Sequence, residues 1–144
     1  MSDSGFDLGL DDPARAGVFF VTADDIATLD MATRDAGLLA RRIDLRGCAN
    51  KPTLLLRLAT GLDFPAGSGR NWDAASDRLR DLSWLPAPGY ALLFEAASGL
   101  RDADESSFDT LLDVLEEAAA DWAQRDIPFW AFLALPEDEF EPAP

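Results

Sequence analysis

Four short apolar runs alternate with segments of helical periodicity, and this alternation limits the fold more than any other feature of the chain. Apolar runs of this length, bounded by turn residues, are typical of β-strands. We expect strands at 17–21, 38–45, 90–94 and 127–135. Strands that alternate with helices predict an α/β layer with a largely parallel sheet and right-handed crossovers.

Three helix starts can be located from their capping residues. Thr22 followed by Asp25, and Ser106 followed by Asp109, match the capping box, in which two side chains satisfy free backbone N–H groups. Asn50-Lys51-Pro52 predicts a third start, because proline is tolerated in the first helical turn. The helix after Ser106 is the longest, and carboxylates fill its polar side.

Composition divides the chain into three parts. Residues 1–16 carry Gly, Pro and Asp without periodicity, and we expect a flexible N-terminal arm. Residues 17–135 hold all the predicted strands and helices and are expected to form a single domain. Residues 136–144 form an acidic C-terminal tail. A chain of 144 residues is long enough for one packed core.

The net charge restricts the possible partners. Twelve basic residues against 27 acidic ones give a charge of −15, which argues against direct binding to nucleic acid. An acidic surface favours a basic protein partner, or serves solubility alone. The sequence has no signal-peptide pattern and no apolar run of bilayer length. We therefore expect a cytoplasmic protein with no membrane association, which is a monomer when free.

The residue types present exclude several kinds of chemistry. The chain has no histidine, and hence no imidazole for a nucleophile pair or a metal site. Cys48 is its one cysteine, so we expect a buried or incidental thiol without a disulfide or a zinc site. The glycine-rich segment 66–69 lacks the Gly-Lys-Ser/Thr ending of a phosphate-binding loop. We expect no cofactor, no metal and no enzymatic activity.

The stretch 69–84 predicts one short helix with an unusual outer face. At about 100° per residue, four apolar residues fall on one side: Trp72, Ala75, Leu79 and Leu82. Three aspartates form a row roughly opposite: Asp73, Asp77 and Asp81. Like charges at this spacing destabilise a helix by a few tenths of a kcal/mol per pair. Either three neighbouring arginines relieve them, or the row is kept for a partner: Arg70, Arg78 and Arg80.

The aspartate row admits two interpretations. No second group completes a site beside it, which disfavours metal or acid–base catalysis. A carboxylate row could instead take the places of phosphates in a cationic cleft, such as a nuclease active site, and pair with its Arg and Lys side chains. A solvated acidic helix face explains the pattern equally well.

This part of the chain resembles the barstar family of intracellular ribonuclease inhibitors. The resemblance rests on Phe64-Pro65, Gly69-x-Asn71-Trp72-Asp73-Ala74, Asp77, Leu79, Asp81-Leu82-Ser83-Trp84, Pro86 and the strand 90–94. It extends from about Ala40 to Leu135. It implies a small, mostly parallel sheet of three to four strands packed with helices. The strand and helix from Gly17 to Gly37 would be an additional N-terminal unit.

The resemblance also implies a function and a site. A basic ribonuclease would be the partner, and the acidic helix 71–82 with its preceding loop would occlude the active site of that enzyme. Five residues match the inhibitory segment: Gly69, Asn71, Asp73, Ala74 and Asp77. Asp77 matches the carboxylate that occupies a phosphate subsite. Glu117 and Asp121 match acidic contacts on the later helix.

Three positions depart from the family pattern. The loop just before Gly69 and one contact position in the helix are commonly aromatic in the family, whereas here they are Gly67, Ser68 and Ser76. Aromatic side chains supply large contact area at low entropic cost. A second hypothesis is therefore a barstar-like module that no longer inhibits a ribonuclease and binds another basic partner.

Overall fold

The computed structural model of the protein describes residues 9–136. The predictions for residues 1–8 of the arm and 137–144 of the tail lie outside this range. Between residues 9 and 136 the chain forms four strands and five helices. In chain order these are β1 (Val18–Val21), α1 (Ala23–Asp35), β2 (Leu39–Asp44), α2 (Lys51–Gly61), α3 (Trp72–Leu79), β3 (Tyr90–Glu95), α4 (Ser98–Ala103), α5 (Glu105–Gln124) and β4 (Phe129–Ala134).

The four strands form one sheet in the order β1-β4-β3-β2, and every neighbouring pair is parallel. Val18 lies opposite Ala131, and Leu92 lies between Arg41 and Ala131. The predicted α/β fold with a mostly parallel sheet is confirmed. The strand order places the two most buried strands, β3 and β4, in the centre.

The central strands are apolar on both faces because both faces are covered. All six residues of β4 are buried, as are the first five of β3. Continuous apolar runs of this kind are typical of parallel sheets with helices on both sides. Side chains alternate between the faces, so Leu92 and Leu93 belong to different core clusters.

The helices divide between the two faces of the sheet. Helix α1 packs across β2, β3 and β4 on one face. On the other face α2 packs on β2, and α5 packs on β4 and β1. Helix α3 packs against α2 and α5, and its buried residues belong to the core on that face. Helix α3, which carries the predicted site residues Asp73, Ala74 and Asp77, therefore packs on two longer helices.

Strand β1 is an edge strand with exposed aromatic side chains. Phe19 and Phe20 are each more than two-fifths exposed. Phe19 stacks on Phe132, with ring centroids 6.0 Å apart, on the face that α1 covers. A groove of about 470 Å³ lies there between β1 and α1. Leu10 is buried beside it, and its carbonyl accepts a hydrogen bond from Trp130 Nε1 at 2.8 Å, so this part of the expected arm packs against the sheet.

Two of the predicted helix starts agree with the structure, and one does not. Thr22 and Asp25 form the predicted capping box of α1, and Asn50 caps α2. The capping box predicted at Ser106 is wrong, because α5 begins at Glu105 and its cap is Asp104, which accepts from the N–H of Ser107. Asp104 and Ser106 are both residue types that cap helices, and the earlier of the two, Asp104, caps α5.

Helix α4 was not predicted. It has six residues, includes a glycine and has no side-chain cap, so it leaves little periodic signal.

Among residues 9–136, no helix is both long and apolar enough to cross a bilayer. Cys48 is buried, and burial raises the pKa of its thiol.

Candidate protein-binding surface

The start of α3 depends on the backbone of the loop before it. Gly67 and Gly69 have φ values of +83° and +82°, in the left-handed region that favours glycine. Asn71 then caps the helix, since its side-chain oxygen accepts a hydrogen bond from the N–H of Ala74 at 2.7 Å. Gly69 and Asn71, both predicted site residues, therefore set where α3 begins.

The inner face of α3 is held by small and branched apolar side chains. Ala75, Leu79 and Leu82 are buried, and Trp72 packs partly buried against the same core. Burying one leucine stabilises a fold by roughly 1.5–3 kcal/mol. The predicted division of this helix into an apolar and a polar side is therefore seen in the structure.

The helix is shorter than the predicted 71–82. It ends at Leu79, and the chain turns at Leu82, whose φ is +48° and whose N–H donates to the carbonyl of Arg78 at 3.1 Å. This conformation costs a non-glycine residue roughly 1–2 kcal/mol. Complete burial of the leucine offsets that cost. Asp81 thus lies outside α3, and the predicted row of three aspartates is wrong in its last member.

Helix α5 holds the carboxyl end of α3. Trp122 Nε1 donates to the carbonyl of Leu79 at 2.8 Å, and the guanidinium of Arg125 donates to the carbonyl of Arg80 at 2.6 Å. The last carbonyls of a helix have no partner within the helix. Trp122 of α5 and Arg125, the C-cap of α5, supply those partners and fix the position of α3.

The loop before α3 is tied to the turn after it. Trp84 Nε1 donates to the carbonyl of Leu62 at 2.9 Å, and Phe64 packs edge-on against the Trp84 ring at 5.9 Å. The guanidinium carbon of Arg78 also lies 5.9 Å from that ring. Trp84 therefore joins both ends of the segment that contains α3.

The outer face of α3 presents two carboxylates to solvent. Asp73 and Asp77 are both exposed, and the Asp77 side chain keeps 74% of its surface. Arg80 lies 2.9 Å from Asp77, and Arg78 lies 4.0 Å from Asp81. The predicted relief of the aspartates by nearby arginines thus occurs at Asp77 and Asp81. Exposed pairs of this kind contribute only about 0–1 kcal/mol each.

The two predicted site residues of α5 lie on the helix that packs against α3. Glu117 is exposed and precedes Asp121 by one helical turn, so the two share a face of α5. Asp121 is half-buried and pairs with Arg125 at 2.6 Å, and Arg125 stacks over Trp122 at 3.7 Å from the ring centroid. Asp121 is linked to the end of α3 through Arg125, which binds the Arg80 carbonyl.

Sequence reasoning did not assign Arg125 to this surface, and it assigned Arg80 only as a possible relief for the aspartates. The spacing of three or four residues between each arginine and its aspartate was the available signal. Within residues 9–136, no three carboxylate, cysteine or histidine groups lie close enough to hold a metal ion.

A second ion-pair group lies away from α3, between α1 and the sheet. Asp30 pairs with Arg34 at 2.6 Å and with Arg42 at 2.7 Å, and Arg42 also binds Glu95 at 3.0 Å. The Asp30 side chain is only 14% exposed. Burial raises its pKa, but the hydrogen bonds and charges of the two arginines outweigh burial and lower the net pKa.

Comparisons with known proteins found one matching family and a similar fold in a solved structure. The family model described as Barstar (barnase inhibitor) matches residues 38–134, which contain β2 to β4 and α3. A chain in the structure of Drosophila ORC bound to DNA has a similar fold, with a TM-score of 0.51 and 18% identity. That match covers 88% of this chain and 34% of the other, and it concerns the fold alone. No curated protein matches the chain.

Proposed function

This chain belongs to the barstar family, and from that premise we propose that it inhibits a basic ribonuclease by placing α3 and the preceding loop in the active site of the enzyme. The family is one of inhibitors rather than catalysts. The observation that carries the proposal is Asp77, a highly exposed carboxylate on a helix whose two ends are both fixed. A carboxylate held in this way can pair with cations that otherwise bind phosphate.

The fixed position of α3 in the free protein supports the proposal on energetic grounds. A helix that keeps its position in the free protein loses little conformational freedom on binding, so more of the contact energy remains as affinity. The cap at Asn71 and the bonds from α5 provide this rigidity. Asp73 and Ala74 complete the presented face, and Gly69 shapes the approach to it.

The charge of the whole chain supports the choice of a basic partner. A protein of charge −15 attracts a cationic surface from a distance, which raises the association rate. Glu117 and Asp121 extend the acidic surface from α3 onto α5. Mobile ions screen this attraction beyond roughly 8 Å at physiological ionic strength. Association should therefore slow as salt is added.

Substitution of Asp77 tests the proposal. With barnase as the probe enzyme, Asp77→Ala should weaken binding by about 30-fold, corresponding to about 2 kcal/mol, as expected for a central charged contact. Asp35→Ala is the matched control, since it removes the same charge from the end of α1 on the other side of the sheet. It should change the affinity by less than about threefold. Equal affinity of Asp77→Ala and the wild type for barnase would remove Asp77 from the site.

One observation favours a second function. The exposed loop before α3 offers no aromatic side chain at Gly67 or Ser68, and Ser76 stands where an aromatic contact is expected in α3. A barstar-like module without ribonuclease inhibition would fit this surface, binding another basic protein through the same carboxylates. Affinity capture from the native cell distinguishes the two. Recovery of a ribonuclease supports inhibition, whereas recovery of other basic proteins alone supports the module.

A further inference from the structure

Arg80 already pairs with the carboxylate on which the proposed function depends. Its guanidinium Nη2 lies 2.9 Å from Asp77 Oδ1, and its Nε donates to the carbonyl of Ser76 at 3.3 Å. Arg80 is the C-cap of α3, so its backbone is fixed by the helix and by the bond from Arg125. The cation is therefore part of the presented surface.

Arg125, the C-cap of α5, repeats this arrangement. One of its nitrogens, Nη2, lies 2.6 Å from both the Asp121 carboxylate and the Arg80 carbonyl. Its guanidinium stacks on the Trp122 ring, which holds it in place. The surface from α3 to α5 therefore alternates in sign, with an arginine beside each of two predicted contact carboxylates.

A partner that covers this surface contacts Arg80 as well as Asp77. The Asp77–Arg80 pair is exposed and weak, so a partner cation can replace Arg80 as the neighbour of Asp77. Arg80 would then lie next to that cation, and its Nη2 would lose the carboxylate acceptor that it has in the free protein. Like charges brought together in an interface are strongly disfavoured, whereas an acceptor opposite the guanidinium removes the cost.

We propose that Arg80 is a specificity-determining residue of this surface, which disfavours wholly cationic partners and selects a protein whose basic cleft carries a carboxylate opposite it. This inference rests on the proposed function, because it assigns a partner class to the same site. The partner thus presents cations to Asp73 and Asp77 and an acid to Arg80. The partner therefore complements both the negative and the positive groups of this surface.

A comparison of two arginine variants tests the proposal. Arg80→Ala and Arg78→Ala remove the same charge from the same helix, but Arg78 pairs with Asp81 and lies over Trp84 rather than beside Asp77. The probes are tetra-arginine amide and a hexapeptide amide of five arginines and one glutamate, which has the same net charge. Binding is measured by calorimetry at low ionic strength, and circular dichroism confirms that each variant is folded.

Arg80→Ala should raise the affinity for tetra-arginine at least about threefold more than Arg78→Ala does. It should leave the affinity for the glutamate-containing peptide unchanged or lower. Equal gains for the two variants with both peptides would mean that only bulk charge matters, and would overturn the proposal.

Barnase inhibition by the same variants separates this inference from the proposed function. If no form inhibits barnase but the peptides still distinguish Arg80→Ala from Arg78→Ala, the specificity role of Arg80 stands and inhibition of that enzyme does not. If the wild type and both variants inhibit barnase with equal affinity, the inhibitor function stands and the role of Arg80 is refuted.

Discussion

Replacing Trp122 with phenylalanine would remove a single hydrogen bond that ties α5 to the end of α3. The indole nitrogen donates to the carbonyl of Leu79 at 2.8 Å, and the ring is 4% exposed. Phenylalanine keeps an aromatic ring next to Tyr90, whose centroid is 5.1 Å away, but it has no donor. The change also gives the guanidinium of Arg125 a smaller ring to stack on, so it weakens the tie between α5 and the end of α3.

The expected cost has two parts. A buried carbonyl left without its partner costs roughly 1–3 kcal/mol, and the smaller ring removes on the order of 1 kcal/mol of apolar burial. We expect the free energy of unfolding to fall by about 2–4 kcal/mol. A domain of this size has a total of roughly 5–15 kcal/mol, so the variant should still fold.

Urea unfolding followed by circular dichroism measures this cost, and Trp130→Phe is the matched control. Trp130 is 5% exposed, and its indole donates to the carbonyl of Leu10 at the same distance, 2.8 Å, on the opposite face of the sheet. Both variants should lose similar stability. Only Trp122→Phe should weaken barnase binding, because the indole of Trp122 bonds to α3 whereas that of Trp130 bonds to Leu10.

Two results would refute this reasoning. An unfolding free energy of Trp122→Phe within about 0.5 kcal/mol of the wild type would show that the bond contributes little. Equal weakening of barnase binding by Trp122→Phe and Trp130→Phe would show that α3 responds to overall stability rather than to its tie to α5.

Two further substitutions test the start of α3 and the ion pairs of Asp30 between α1 and the sheet. Asn71→Ala removes the cap of α3 and should lower the unfolding free energy by about 1 kcal/mol in urea, with Asn71→Asp, which restores a side-chain acceptor, as the control that should recover most of it. Asp30→Asn removes a carboxylate whose net pKa is lowered in the folded protein, so Asp30 contributes stability above its ordinary pKa that is lost as pH falls through the folded value. The stability difference between the wild type and Asp30→Asn should therefore be largest near neutral pH and shrink below about pH 4; a difference that is independent of pH would contradict the assignment.

The order of strands and helices was predictable because each strand carries its own apolar pattern. The apolar run from Tyr90 to Phe94 suited a strand that is covered on both faces, and that is its place in the sheet. Element ends were less predictable, because they depend on contacts between distant residues. The carbonyls of Leu79 and Arg80 find their partners on α5, which no local pattern near α3 indicates.

The candidate surface was predictable in its carboxylates and less so in its arginines. The positions of Asp73 and Asp77 follow from helical spacing alone. Whether Arg80 relieves Asp77 or points elsewhere depends on rotamers and on where the helix stops. The helix stops because Leu82 buries its side chain in a left-handed conformation, which sequence spacing does not reveal.

The pairing of β1 with β4 has a consequence for how the protein is made. Val18 lies opposite Ala131, so the strand that leaves the ribosome first among the four pairs only with the one that leaves it last. The pairings among β2, β3 and β4 all lie within the family-matched region and do not involve β1. From the time β4 emerges until β1 pairs with it, the outer edge of β4 is open beside Trp130 and Phe132 and can pair with other nascent chains. Strand β1 therefore waits for its partner throughout synthesis and covers the edge of β4 only once β4 has emerged.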